Sequence, residues 1–264
     1  MTGVGTMSAK TVLITGASSG IGLALARVFA RHGWSLALVA RRSDNLERLA
    51  VELKESYGTD SQCIGFDLTT DNAARALYDE VRFRNLRIDC LVNNAGRGYF
   101  GSFIERDHQL EEETIYLNVT VLTSLCKLFG RDMVEQGGGR ILNIASIAGF
   151  MPGPNFAVYH ATKAYVLSLS RAIHAELKSL GVTVTASCPG PTETEFFDKA
   201  GTGVLKAMEY IRRMPAEKVA EQAYEATMKG KPVVVHGMLN KMMVESPRLV
   251  PKSWVAPVVK SLMR

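Results

Sequence analysis

Tyr159-His-Ala-Thr-Lys163 sets a phenol and an ammonium four residues apart, and on a helix that spacing puts both on one face. A free tyrosine has a pKa of about 10, too high to exchange protons readily at neutral pH. A neighbouring ammonium is expected to stabilise the phenolate and bring that value down, which would make Tyr159 a usable general acid/base. Taken alone, the pair is common by chance. It gains force from Ser146, expected at the end of a strand, where a hydroxyl could hydrogen-bond a substrate oxygen as charge builds on it. Capping a turn is the other ordinary use of such a serine.

A second chemical signal follows the first apolar run. Thr15-Gly16-Ala17-Ser18-Ser19-Gly20-Ile21-Gly22 leads into a helical stretch. Its glycines permit a tight turn and close approach of backbone to a pyrophosphate, and the helix start offers N–H groups and a positive dipole end. After the second apolar run, where an acidic residue would accept bonds from the ribose of NAD, the chain has Ala40-Arg41-Arg42. A guanidinium can grip a 2′-phosphate through paired, charge-assisted bonds, and Ser18 could add a hydroxyl. These residues predict a preference for NADP. A solvated arginine at a helix start is the plainer alternative.

The elements that must position these groups alternate in a regular rhythm. Strands are expected at residues 11–15, 35–40, 61–66, 88–92, 140–145, 182–187 and 232–236. Helices are expected from the glycine turn to residue 31, up to about residue 57, and at 71–83, 108–135, 155–180 and 215–229. The strands are apolar runs without clean alternation, as in a parallel sheet covered on both faces. The fold class read from this is α/β, a doubly wound parallel sheet (a Rossmann fold) of about seven strands, forming one domain over 1–264 with a loose arm at 1–9 and a tail from 238. Right-handed crossovers then place cofactor and substrate at the carboxyl ends of the strands.

Composition narrows the class. The 264 residues are 47% hydrophobic and 22% charged, which suits a sizeable core, and the net charge of +5 is spread over expected surface helices rather than clustered for nucleic acid. Cys63, Cys90, Cys126 and Cys188 lack ligand spacing, so free thiols in a reducing, cytoplasmic setting are expected and no metal is assigned. No signal peptide and no spanning segment are read.

The sequence resembles the single-domain branch of the short-chain dehydrogenase/reductase family over residues 11–237. The resemblance rests on the TGASSGIG turn, Asn93-Asn-Ala-Gly96 after the fourth strand, Ser146, Tyr159 with Lys163, and Pro189-Gly190, in family order and spacing. It implies that Tyr159 donates a proton to a carbonyl oxygen while nicotinamide delivers hydride. Lys163 would hold the nicotinamide ribose and tune Tyr159, Ser146 would polarise the carbonyl, and Asn118 would hold a water through its backbone carbonyl. For the cofactor it implies contacts from Gly16, Ser18, Ser19, Gly20, Ile21, Gly22, Arg41, Arg42, Asp67 (at the adenine amine), Leu68, Asn94, Ala95, Gly96, Pro189, Gly190, Thr192 and Thr194, with Tyr159 and Lys163. Asn93 and Gly96 would stabilise the sheet and line the cofactor. The implied cofactor is NADP(H), and a homodimer or homotetramer pairing the helices near 108–135 and 155–180 is expected. An NADP-binding regulator without turnover, and an epimerase or dehydratase on the same scaffold, are the rival functions.

Segments 97–107, 150–156 and 191–214 should wall the substrate pocket, carrying Tyr99, Phe100, Phe103, Phe150, Met151, Phe156, Phe196, Phe197, Leu205, Met208 and Tyr210. That surplus favours an apolar ketone or aldehyde, and the last segment is long enough to act as a lid. His160 should point off the catalytic face. In the tail, prolines 247, 251 and 257 argue against one continuous helix, with a short helix from about Ser253. Packing against the enzyme's own loop or a second subunit is expected there, and contact with an anionic membrane surface is the sharper alternative.

Overall fold

The computed structural model describes residues 9–196, 200, 213–246 and 251–262. Seven parallel strands form one sheet in the order β3-β2-β1-β4-β5-β6-β7. They are β1 (Thr11–Thr15), β2 (Ser35–Ala40), β3 (Ser61–Gly65), β4 (Cys90–Asn93), β5 (Gly139–Ile144), β6 (Val182–Cys188) and β7 (Val233–Val235). Around them lie α1 (Gly20–Arg31), α2 (Ser43–Tyr57), α3 (Ala73–Phe83), α4 (His108–Ile115), α5 (Leu122–Glu135), α6 (Ala157–Leu177) and α7 (Ala216–Met228). The expected fold class and strand count are thus observed.

The apolar runs are uninterrupted because each strand serves two cores. In β1, Val12 and Ile14 point into one layer with Leu25, Phe29, Leu36 and Tyr224. Leu13 points the other way, into a layer with Leu77, Phe129, Val166 and Val184. The two-residue period of a strand makes that division automatic. Leu13, Ile14 and Phe29 are fully buried, each worth about 2–3 kcal/mol of hydrophobic transfer. The strand order reverses between β1 and β4, so the crevice beyond their carboxyl ends is the switch point where open α/β sheets take ligands.

Two expected elements differ. The helix read across 108–135 is interrupted by a π-helical turn, Tyr116–Val121, between α4 and α5. Apolar periodicity cannot reveal one inserted residue. Beyond β7 there are two helices rather than one, α8 (Met238–Glu245) and α9 (Lys252–Leu262), and Pro257 lies inside the second. The arm expected at 1–9 lies outside the described residues except for Ala9, as do Phe197, Leu205, Met208 and Tyr210 of the expected pocket wall.

Candidate active site

The glycine turn closes directly onto β4's exit. Gly16 and Gly20 have φ of 67° and 55°, which L side chains rarely adopt, and a Cβ on Gly22 would lie 2.3 Å from the Gly16 carbonyl oxygen. Asn94 clamps the turn, its Nδ2 donating to the carbonyls of Thr15 (2.9 Å) and Gly16 (3.1 Å). The Thr15 hydroxyl accepts from the amides of Asn94 and Ala95 and donates to Val92. At the start of α1 the Ser19 side chain makes no capping bond and no acidic residue stands in the first turn. A side-chain-free cradle of this kind, with a helix dipole behind it, fits a pyrophosphate. Thr194 meets the same cradle, its Cγ2 standing 2.9 Å from where a Gly20 Cβ would be.

Around it, Ile21 packs against the core layer below α1, and Leu68 is buried in the opposite layer. Arg42 Nη2 donates to Ser18 Oγ at 3.4 Å and pairs with Glu195 at 3.2 Å. Burial alone would push the Asp67 carboxyl up; the Thr69 amide and hydroxyl, with the Arg41 and Arg97 charges, outweigh that and hold it low. The Thr192 hydroxyl donates to the Gly190 carbonyl at 2.9 Å. Asn93 lies in the sheet, donating to Asn143 Oδ1 at 2.9 Å, and Asn143 donates in turn to Ser170. That bond makes it a sheet-stabilising residue first.

The catalytic candidates converge from three elements that end at this edge. Ser146 follows β5, and its hydroxyl receives the Ala148 amide at 3.1 Å. Tyr159 and Lys163 stand on α6 with the Lys163 Nζ 5.6 Å from the Tyr159 ring centre. Lys163 Nζ donates to the Ile144 carbonyl at 2.8 Å and lies 3.6 Å from where a Gly96 Cβ would be. Asn118, on the π-helical turn, is buried; its side chain brackets Arg97, accepting from its amide at 3.0 Å and donating to its carbonyl at 2.8 Å. The amide of Leu122, which an α-helix would direct to the Asn118 carbonyl, goes to Val119 instead. The π-helical turn thus falls at Asn118, the residue the sequence singles out.

Burial decides the ionisation here. The Lys163 ammonium is pushed down to about 8 by desolvation, partly opposed by Cys188. The Tyr159 phenol is pushed up to about 12 by burial, opposed by a hydrogen bond with Ser146. Burial outweighs the lowering expected of the phenol, and Lys163 Nζ stands 5.6 Å from the ring centre. At neutral pH Tyr159 is a phenol, poised to give a proton. His160 turns away, Nδ1 sitting 2.8 Å from the Met151 carbonyl, and burial lowers its pKa.

The Tyr159 ring is held flat. Phe156 stacks on it at 4.5 Å with an 18° tilt, Phe196 lies at 5.3 Å, and Phe100 continues the cluster through Phe156. The Phe100 amide donates to Ala200 at 2.8 Å, joining two of the expected wall segments. Gly98 forms the floor: a Cβ there would lie 2.5 Å from the Tyr159 ring. Gly98, Thr15 and Thr162 (whose hydroxyl links Asn118 to the Tyr159 carbonyl) escaped the sequence reading. Nothing marks Gly98 among 23 glycines except its place after Asn93-Asn-Ala-Gly96.

A family model described as short chain dehydrogenase matches residues 10–205. The very-long-chain 3-oxoacyl-CoA reductase of Anas platyrhynchos is 35% identical over 184 residues, 67% of this chain and 58% of that protein. The chain thus spans about three fifths of the length of that relative. Sulfoacetaldehyde reductase 2 of Chromohalobacter salexigens is 35% identical over 224 residues, covering 82% of this chain and 88% of that one. Among solved structures, a short-chain dehydrogenase from Sphingobium yanoikuyae in complex with NADPH superposes with a TM-score of 0.81 at 35% identity, over 91% of this chain and 94% of that one. With a parallel sheet reversing at β1 and β4, and a phenol, an ammonium and a hydroxyl gathered at its edge, the chain belongs to the short-chain dehydrogenase family.

Proposed function

We propose that the protein is an NADP(H)-dependent carbonyl reductase or alcohol dehydrogenase acting on an apolar ketone or aldehyde. The observation that carries the reading is the gathering of Ser146, Tyr159 and Lys163 at the carboxyl edge of the sheet, beside a glycine cradle shaped for a dinucleotide. In reduction, Tyr159 gives its phenolic proton to the carbonyl oxygen. The hydride that reaches the carbon is the chemistry a nicotinamide supplies when bound. Ser146 hydrogen-bonds the same oxygen as charge builds on it, and Lys163 holds the ribose and its own positive charge behind the phenol. Asn118 offers its carbonyl to a water that refills the proton at Tyr159. The alcohol leaves with one added proton and one added hydride, and Tyr159 recovers its proton from solvent.

Gly16, Gly20 and Gly22 would carry the pyrophosphate, Asn94, Ala95 and Gly96 the ribose side, Asp67 and Leu68 the adenine, and Pro189, Gly190 and Thr194 the nicotinamide end. Thr192, whose hydroxyl donates to Gly190, would stand with them. Arg41, Arg42 and Ser18 favour NADP, and the Sphingobium relative's NADPH complex supports that choice. The two curated relatives named above, at equal identity, are reductases of a very-long-chain 3-oxoacyl-CoA and of sulfoacetaldehyde. Overall identity therefore does not choose the substrate; Phe100, Phe156 and Phe196 around Tyr159 support an apolar carbonyl compound. A homodimer or homotetramer is supported by Ile115 and Tyr165, exposed on α4 and α6. A reducing compartment such as the cytoplasm suits four free cysteines, three of them buried.

Loss of absorbance at about 340 nm with NADPH and a graded series of ketones and aldehydes tests the reaction. Turnover should rise with apolar size, and kcat/KM for NADPH should exceed that for NADH. Arg42→Ala should cut the NADPH value about 10- to 100-fold and leave NADH nearly untouched, since one charge-assisted phosphate contact is worth about 1.5–3 kcal/mol. Comparable efficiency with both cofactors would overturn the NADP assignment. A cofactor recycled by epimerisation or dehydration would give product without net absorbance change.

Gly98→Ala makes a sharper test of the ring geometry. Its φ is not in the left-handed region, so the added methyl acts only through space, against Tyr159 at 2.5 Å and Phe156 at 3.0 Å. The phenol must shift by several tenths of an ångström or more, and kcat should fall about 100-fold while NADPH affinity holds. Unchanged kcat would mean that the hydroxyl's position tolerates that shift.

A further inference from the structure

The two described helices beyond β7 each leave an apolar stripe uncovered. On α8, Met238, Leu239 and Met242 are 73%, 70% and 66% exposed, three and four residues apart and therefore on one side. On α9, Trp254 and Val258 repeat the pattern, with Trp254 63% exposed. The opposite sides are fixed to the enzyme: Val244 and Val255 are buried, and Asn240 packs over Gly190 while donating to the His236 carbonyl at 2.7 Å. Gly237, just before α8, would place a Cβ 2.9 Å from Met214 at the far end of segment 191–214. Helix α8 is therefore held against Gly190 on one side and Met214 on the other.

The charge of the same stretch says what covers it. From residue 238 on, Lys241, Arg248, Lys252, Lys260 and Arg264 stand against Glu245 alone, a net +4 out of the chain's +5. Lys241 is exposed, one helical turn from Met238. A second copy of the chain would bring another stretch of net +4 against the first. An anionic lipid surface answers both features, taking methionine, leucine and the tryptophan into the headgroup boundary while lysines reach phosphates. Among the described residues no helix is long and apolar enough to cross a membrane, so the helices would lie on it.

We propose that α8 and α9 dock the protein reversibly on an anionic membrane surface. Val244 and Val255 face inward, opposite these exposed stripes.

The test uses the full chain with vesicles of phosphatidylcholine alone or with about one third phosphatidylglycerol. Trp34 is buried and Trp254 exposed, so a shift of emission to shorter wavelength reports Trp254 entering lipid. The protein should co-sediment with the anionic vesicles, show that shift, and release as salt rises from about 0.1 to about 1 M. L239S/M242S and, separately, K241E/K260E should each lower the partition coefficient about 10-fold or more while keeping the wild-type melting temperature. No enrichment on anionic over neutral vesicles, or equal partition of wild type and both variants, would overturn the proposal. So would an emission shift that follows protein concentration without vesicles, which would assign the face to a second copy. None of these readings depends on turnover, so they stand apart from the test of the reductase assignment.

Discussion

Tyr159→Phe should lower ketone reduction by about three to four orders of magnitude and leave both folding and NADPH binding in place. The ring is what packs, stacked on Phe156 at 4.5 Å and set 5.3 Å from Phe196, and phenylalanine preserves that packing. Only the hydroxyl goes, with its bond to Ser146. Ser146 is not orphaned by the change, since its oxygen still receives the Ala148 amide at 3.1 Å and its hydroxyl still faces the Pro189 carbonyl at 3.4 Å. Stability should therefore move by no more than about 1 kcal/mol, the net worth of one hydrogen bond. Circular dichroism, a melting curve and NADPH fluorescence titration beside the rate assay separate a lost proton donor from a lost fold. His160 offers no substitute acid, because its Nδ1 is committed to Met151. Residual activity above about one tenth of wild type would mean that the proton comes from elsewhere.

The same group sets the direction of the pH dependence. Burial pushes the phenol up to about 12, so it carries its proton throughout the neutral range. Reduction, which consumes that proton, should be nearly flat from about pH 6 to about pH 9 as far as Tyr159 is concerned. Alcohol oxidation needs the phenolate and should rise with pH over the same interval. A phenol lowered by the neighbouring ammonium, as the sequence suggests, predicts an earlier onset for oxidation. An i, i+4 spacing fixes which face two side chains share, not which atoms meet.

Much of the remaining site was legible because it depends on local patterns. The glycine turn needs specific backbone angles at Gly16 and a space at Gly22 that excludes even a methyl, and such demands leave a readable trace. Strand-end positions were legible for a similar reason: Ser146 and Pro189 follow apolar runs whose length the sheet dictates. What stayed hidden depends on contacts between distant segments. Gly98 is constrained by a ring some 60 positions away, and Arg42 finds Glu195 across 153 residues. The π-helical turn at Asn118 was hidden for a different reason, since the apolar positions of α4 and α5 read smoothly across it. Helix α8 was missed because its exposed methionines and leucine face away from the core, so its apolar residues give no sign of which side packs.

Lys163→Met should abolish most activity and yet lose its relative stability as the pH rises. Burial takes the ammonium from its ordinary 10.5 to about 8. Below pH 8 both native and unfolded chains hold the proton, and the native state bears the whole cost of a desolvated charge, about 3 kcal/mol from a shift of that size. Between the two values the unfolded chain binds the extra proton and the native chain does not, so wild-type stability climbs as pH rises. Methionine has comparable length and no charge, but it leaves the Ile144 carbonyl without the 2.8 Å donor it now has, a loss of about 1–3 kcal/mol. At pH 7 the two effects nearly offset and the melting temperatures should lie close, with the variant equal or slightly higher. Near pH 10 most of the charging cost has gone from the wild type while the missing bond remains in the variant, so the variant should have fallen behind by about 2–3 kcal/mol. Denaturant titrations of both proteins at several pH values measure that difference, and subtraction removes every other titrating group that the two share. Parallel curves would mean that the Lys163 ammonium is solvated in the native protein. The divergent curves expected would show that a cation is held in this apolar place at a standing cost to the fold, a cost that packing alone gives no reason to bear and that anchoring a ribose and backing a proton donor does.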